Sequence, residues 1–406
     1  MTAPQSYLLT PGPLTTSLKT RQALLKDHGS WDDDFNDITR SNSQKILRMC
    51  GGEKEFTCIP MQGSGTFSVE AAIASCIPEA SRTLILINGA YGKRMETIFR
   101  YLKRPYITLD KGDYLPPRAT EVEQILQNHT DITDVMMVHC ETSSGILNPV
   151  KEIGIVAKKH HKTFHIDAMS SFGGIPLATD DIPFDVCISS ANKCIEGVPG
   201  FGFVIVRTSL IEGCKNRAHS LSLDLYDQWQ GFQKTNKWRF TPPTHVVAAF
   251  AEALNQHDAE GGVVGRYERY CLNQKTLVAG MRKLGFKTLL EDEWLSPIIT
   301  TFMSPGDQAF EFSRFYKLMK NRGFIIYPGK LTVAESFRMG TIGQLFPKTM
   351  EQAVEAVAFA LDEMGIKSAK PHIDSIRHAN EYHDHNKAIS FCYTPGKETP
   401  YEPLPL

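Results

Sequence analysis

An α/β architecture, with a large domain on a mostly parallel sheet flanked by helices and a smaller C-terminal α+β domain, follows from three features of the 406-residue sequence. From about residue 21 to 254, short apolar runs alternate with longer amphipathic segments, the rhythm of parallel strands joined by crossover helices. Near residue 256 composition and spacing change. Polar residues cluster just after the apolar runs, where an open α/β sheet presents its ligands.

Five apolar runs read as buried strands: TLILIN (83–88), DVMMVHCE (134–141), TFHIDA (163–168), DVCISS (185–190) and GFVIVR (202–207). FSVEAAIASCI and VKEIGIVAKKHH between them have helical spacing. Beyond residue 256, HDAEGGVVGRYERYCLNQKTLVAGMRKLGF reads as one long helix, SPIITTFM and FIIYPG as strands, and KTMEQAVEAVAFALDEMG as a closing helix. The expected organisation is an N-terminal segment lining the site (1–20), a large domain (21–255), a small domain (256–366) and a polar extension (367–406). That extension is rich in His, Tyr and Pro, with little periodicity, and is expected to be extended, docked or partly disordered.

Hydrophobic residues make up 42% and charged residues 22% of the chain, ordinary for a globular protein, which excludes a fibrous repeat or wholesale disorder. A formal net charge of -1 offers no basic field for a nucleic-acid backbone and no polybasic segment for an anionic membrane, so small molecules are the expected partners. The nine cysteines lack CxxC or finger-like spacing, as in a reduced, cytoplasmic chain. MTAPQSYLLTPGPL has neither the basic start nor the apolar run of an export signal, and no stretch approaches ~20 uninterrupted apolar residues.

Two strand ends carry the chemistry. TFHIDAMSS places Asp167 after one apolar run, and SSANK places Lys193 after another. A lysine amine can form a Schiff base with pyridoxal 5′-phosphate (PLP), while a carboxylate beside the pyridine nitrogen keeps that nitrogen protonated, so the ring accepts electrons. Alone, such a pair is more often a capping aspartate and a solvated lysine. GSGT (63–66) adds a phosphate site. It is followed at once by a helical pattern, whose first N–H groups lack partners; Gly65 permits close approach, and the hydroxyls of Ser64 and Thr66 add donors. No Walker lysine follows, and GxGxxG is absent. Tyr91 in NGAYG can lie over an aromatic cofactor, Thr142 in ETSSG can donate to its phenolic oxygen, and Ser190 in SSANKC can reach its phosphate. Each has an ordinary reading as packing or turn residue; at successive strand ends they favour one shared site.

The series TPGP, GSGT, NGAYG, ETSSG, HIDAMSS, SSANKCIEGVPGFGF and FRMG resembles the class V aminotransferases of PLP fold type I, from residue 6 to about 366. GSWDDDFND is similar to the 2-aminoethylphosphonate:pyruvate branch of that family. The resemblance implies that Lys193 carries the cofactor and shuttles the proton, and that Asp167 partners the pyridine nitrogen. It puts Ser64, Gly65, Thr66 and Ser190 in the phosphate shell, Thr142 on the cofactor oxygen and Tyr91 on the ring, where many relatives have His or Trp. Thr241, in RFTPPTH, is then expected to reach the phosphate of the neighbouring subunit in a homodimer with shared active sites.

Substrates of such an enzyme, an amine donor and a keto acid, are anionic at one end and need a fixed cation. Arg338 in SFRMGTIG is the candidate, its planar fork matching a carboxylate or phosphonate, although a surface ion pair is the commoner fate of an arginine. Gly12, in TPGP, is expected to line the mouth of the site through its backbone. The implied reaction moves the amino group of 2-aminoethylphosphonate to pyruvate, giving phosphonoacetaldehyde and alanine. Alternatives are an alanine:glyoxylate or serine:pyruvate aminotransferase, a PLP lyase or desulfurase on the same fold, and a sheet domain that binds a phosphorylated ligand without a covalent lysine. The acidic run Asp32 to Asp34 would repel a phosphonate and is assigned to a helix start. No metal site is expected: His372, His378, His383 and His385, with Asp384, suit a solvated tail. Cys194 is expected to be a small buried residue turned from Lys193 by strand alternation.

Overall fold

The computed structural model describes residues 6–330 and 335–388, with the backbone alone from 382 to 388. Seven strands form the central sheet: β1 (Phe56–Gln62), β2 (Arg82–Ile87), β3 (Tyr106–Asp110), β4 (Ile132–Val138), β5 (Thr163–Asp167), β6 (Val186–Ser190) and β7 (Phe201–Arg207). Their order is β1-β7-β6-β5-β4-β2-β3, and only β7 runs against the rest. All five apolar runs form strands of this sheet. The two strands without a counterpart among those runs, β1 and β3, are its edges, where one side of the ladder is unpaired. Pro60, which has no N–H to donate, is tolerated in β1 for that reason.

Side chains alternate strictly between two cores, as the period of two requires. Leu84, Leu86, Val135, Met137, Ile166 and Phe203 pack on one face against the helices Asp33–Cys50, Ala119–Asn128, Val150–Lys159 and Thr244–Ala259. Ile85, Ile87, Met136, Val138, Ile188 and Val204 pack on the other, under the helices Gly65–Cys76, Ala90–Tyr101 and Leu225–Thr235. Asp167, one residue past Ile166, therefore belongs to the second face.

A smaller antiparallel sheet follows, with β8 (Ile299–Met303), β9 (Tyr327–Pro328) and β10 (Ser336–Gly340) in the order β8-β10-β9. Leu277, Phe315, Val357 and their neighbours, from the helices Gly262–Lys283, Phe312–Asn321 and Pro347–Glu363, close its core around Phe302 and Phe337. The single long helix expected over 257–286 is a correction: Gly261 (φ 98°) and Gly262 (φ 68°) adopt left-handed backbone and split the pattern into Thr244–Ala259 and Gly262–Lys283. Part of the polar extension also forms a helix, Ile373–Ala388, whose Ile376 and Ala379 dock on Leu289, Leu290 and Met303.

His372 and His378 lie beside Asp374 (3.2 Å) and Glu381 (3.8 Å), while the side chains of His383, Asp384 and His385 lie outside the described residues. Among the described residues no group of three or more His, Cys, Asp or Glu side chains could hold a metal ion, and no helix is long and apolar enough to cross a membrane.

The N-terminal segment is threaded between the two sheets. Tyr7–Leu8 pairs in parallel with Phe324–Ile325, and the Gly340 N–H at the end of β10 donates to the Leu9 carbonyl at 2.9 Å. A Cβ on Gly340 would fall 2.4 Å from the Thr10 carbonyl oxygen, so this close approach requires glycine. Pro11 and Gly12 are thereby carried to the end of β6.

Candidate active site

Lys193 stands in the turn three residues beyond β6, with its amine donating to the carbonyls of Pro11 (2.9 Å) and Gly12 (3.2 Å). Gly12 has φ 103°, and a Cβ there would meet the Lys193 Cδ at 2.6 Å; the N-terminal segment can pass this close only as glycine. Burial lowers the Lys193 pKa to about 8, the surrounding Cys194, Asp167 and Cys140 only partly opposing it. Asp167, at the end of β5, accepts the Met169 N–H at 2.9 Å and has no ion pair within 4.0 Å among the described residues. Burial raises its carboxyl to about 6, against the Met169 N–H and the cations of Arg94 and Lys193.

The GSGT loop lies on the same face. Ser64 is the N-cap of the Gly65–Cys76 helix, and its hydroxyl makes no capping bond. A Cβ on Gly65 would sit 2.2 Å from the Met169 sulfur, so this glycine lets the loop after Asp167 pack on the start of the helix. Thr66 lines a cleft together with Tyr91, Arg94, Asp167 and Met169. Ser190 is buried at the end of β6, its hydroxyl donating to Asn192 Oδ1 at 3.0 Å.

Tyr91, Thr142 and Arg338 are joined by a residue that the motifs do not single out. Glu141, fully buried at the end of DVMMVHCE, accepts the N–H groups of Tyr91 (3.1 Å), Gly92 (3.2 Å) and Ser143 (3.2 Å) and the Ser143 hydroxyl (2.5 Å). It thus caps the Ala90–Tyr101 helix from another strand and fixes Tyr91. Burial still pushes the Glu141 pKa up, with those donors opposing it. A charge at the end of an apolar strand was the available signal. Next to it, the Thr142 carbonyl accepts Arg338 Nη1 at 2.8 Å, and the Pro328 carbonyl accepts Nε at 3.1 Å. Arg338 is 2% exposed, sits on β10 and forms no ion pair among the described residues; desolvation lowers its pKa. The Thr142 hydroxyl is buried without a partner.

Three further expectations concern residues outside this cleft. Thr241 is exposed on the loop before the Thr244–Ala259 helix, where Gln62 donates to its carbonyl, and it is not among the residues lining this cleft. Asp33 and Asp34 occupy the first turn of the Asp33–Cys50 helix, with Asp32 as an N-cap that makes no side-chain bond. Cys194 is buried, but strand alternation is not the cause: it lies beyond β6, and its thiol donates to the Ser170 carbonyl at 3.1 Å.

The donor set suits PLP. Asp167 and Thr66 line the cleft; Ser64, next to Thr66, has a free N-cap hydroxyl, Thr142 an orphaned one and Lys193 a buried amine, while glycine at 12 makes room for Lys193 and glycine at 65 for Met169. Sheet order, cleft and buried lysine are those of PLP fold type I. The fold matches the pyridoxamine-pyruvate aminotransferase of Mesorhizobium loti with a TM-score of 0.83 at 22% identity, covering 95% of this chain and 99% of that one. It matches the ureidoglycine-glyoxylate aminotransferase of Bacillus subtilis with a TM-score of 0.83 at 20% identity over the same shares.

Residues 106–309 match the family described as Aminotransferase class-V. A 2-aminoethylphosphonate--pyruvate transaminase of Rhizobium meliloti is 55% identical over 90% of this chain and 96% of its own length, and one of Pseudomonas aeruginosa is 49% identical over 88% and 97%. The chain belongs to the class V aminotransferase family.

Proposed function

We propose that this protein transfers the amino group of 2-aminoethylphosphonate to pyruvate with PLP as cofactor, yielding phosphonoacetaldehyde and alanine in phosphonate catabolism. The observation that carries the reading is Arg338: a buried cation without a carboxylate is costly unless an anionic ligand completes it. The named relatives at 49 to 55% identity support the choice of phosphonate.

When bound, PLP supplies an aldehyde for the amine and a ring that holds the electron pair freed at the substrate carbon. Lys193 would hold the cofactor and would move the proton at the substrate carbon. Its pKa of about 8 leaves roughly a tenth of the amine neutral at pH 7, far more than an ordinary lysine offers. Asp167 would partner the pyridine nitrogen, Tyr91 the ring and Thr142 the phenolic oxygen. Ser64, Gly65, Thr66 and Ser190 hold the phosphate, Arg338 the substrate anion, and the Gly12 backbone the mouth of the site. In a cytoplasmic homodimer with shared active sites, Thr241 completes the partner's phosphate shell.

Adding 2-aminoethylphosphonate to the purified yellow protein tests the reading. Its visible band should disappear with the phosphonate and return with pyruvate, and Lys193→Ala should turn over neither. Bleaching by alanine or serine but not by 2-aminoethylphosphonate would overturn the donor assignment, and product release without pyruvate would overturn transamination.

A further inference from the structure

Arg94 is a side chain of the cleft for which the reaction above has no task. It stands one turn along the Ala90–Tyr101 helix from Tyr91, with its guanidinium 4.9 Å from the centroid of the Tyr91 ring and Nη1 donating to Thr66 Oγ1 at 3.3 Å. It lines the cleft with Thr66, Tyr91 and Asp167 and forms no ion pair among the described residues. Thr66 lies in the first turn of the Gly65–Cys76 helix, whose leading N–H groups carry partial positive charge. A full cation and a helix N-terminus therefore share a few ångströms of cleft, each raising the energy of the other. An anion between them removes that cost.

Asp167 does not fill this role. Its carboxylate accepts the Met169 N–H, and no ion pair with Arg94 forms within 4.0 Å. The geometry instead asks for several oxygens at once, since the planar fork of Arg94 and the hydroxyls of Ser64 and Thr66 are all directional donors. A phosphoryl dianion has that shape and charge.

We propose that Arg94 is an additional phosphoryl-binding residue of this site, and that its ligand is the 5′-phosphate of the cofactor rather than the phosphonate of the substrate. The inference rests on the PLP reading above. The tether decides between the two dianions: Arg94 is bound to Thr66 of the helix-start cradle, whereas Arg338 is bound to the Thr142 and Pro328 carbonyls.

The test compares PLP with pyridoxal, which lacks the phosphate, as titrants of wild type, Arg94→Met and Arg94→Lys. Dissociation constants come from absorbance or fluorescence after exhaustive removal of the resident cofactor, and KM for 2-aminoethylphosphonate is measured in parallel. Arg94→Met should weaken PLP roughly 10- to 100-fold, the range of one hydrogen bond to a charged group, and leave pyridoxal unchanged; Arg94→Lys should lie between.

Equal weakening of PLP and pyridoxal means a merely structural role and overturns the proposal. So does unchanged PLP affinity, whether KM for the phosphonate rises, naming the other dianion, or stays put. The unaltered pyridoxal constant also certifies that the variant folds. A wild-type protein that binds no PLP would sink the cofactor reading itself, an outcome plainly distinct from a normal wild-type titration with an unaffected Arg94→Met.

Discussion

Arg266, buried, and Arg269, half-buried, lie among carboxylates, whereas Arg338, 2% exposed against 1% for Arg266, has none among the described residues. Arg269 bonds Glu196 at 2.7 Å and Glu260 at 2.5 Å, and donates to the Gly343 (2.6 Å) and Leu345 (2.9 Å) carbonyls beyond β10. Tyr270 donates to Glu196 at 2.7 Å, and both Arg266 and Tyr270 reach the Cys194 carbonyl. Burial works against the charge on Arg269, but Glu196, Glu260 and Tyr270 outweigh it and hold its pKa above the ordinary value, whereas that of Arg338 falls.

The two arrangements have different uses. The paired network braces the Lys193 turn, where Glu196 is held at φ 65°, a conformation unfavourable for a non-glycine residue and kept here by its bonds to Arg269 and Tyr270. Arg338, Asp167, Lys193 and Arg94, the charges assigned to ligands, form no ion pair among the described residues. Lack of an ion pair does not mark the site by itself, since Arg104 is also buried against backbone carbonyls with no ion pair among the described residues; it does so only together with a place beside the cleft.

Replacing a member of each set should separate the two roles. Arg269→Met leaves Glu196 buried with a weakened partner set, so unfolding in urea should show a loss of about 3 to 5 kcal/mol. A variant as stable as wild type would mean that the brace carries no load. Arg338→Met removes a desolvated cation with no counter-ion, so its unfolding midpoint should hold or rise. Its kcat/KM for 2-aminoethylphosphonate should fall by about 1.5 to 3 kcal/mol in transition-state binding. If stability falls instead and kcat/KM does not, Arg338 belongs with the structural set.

The same distinction governs what the sequence could reveal. Lys193, Asp167 and the GSGT cradle are legible because each sits directly after an apolar run or before a helix, so local pattern and position coincide. Arg338 is legible only through the FRMG motif, since nothing local tells a buried, unpaired arginine from a surface one. Glu141 and Arg94 escape local reading because their partners, Tyr91 and Thr66, lie 50 and 28 residues away and meet them only when β2, β4 and the Gly65–Cys76 helix come together. The edge strands β1 and β3 are missed for a related reason: with one side of the ladder unpaired they need no long apolar run, and β1 even carries Pro60. The split at Gly261 and Gly262 is the opposite case, two adjacent glycines that warn of a break inside a helical pattern.

Asp167 offers the finest test of the unpaired set. Its carboxyl is raised from 3.8 to about 6 by burial, so the protein without ligand favours the protonated form below about pH 6. A protonated pyridine nitrogen needs the carboxylate, and binding it releases that proton. Cofactor affinity should therefore be level above pH 6 as far as this group is concerned, and fall about tenfold, or about 1.4 kcal/mol, for each unit below it. Asp167→Asn has no proton to release, so it should bind PLP more weakly at pH 7.5 and lose this part of the slope, leaving the contribution of the phosphate. Titrating PLP between pH 5 and 8 in both proteins isolates the difference. Parallel slopes would show that Asp167 is compensated by a partner in the bound state other than the ring nitrogen, which would move it to the structural side of the comparison.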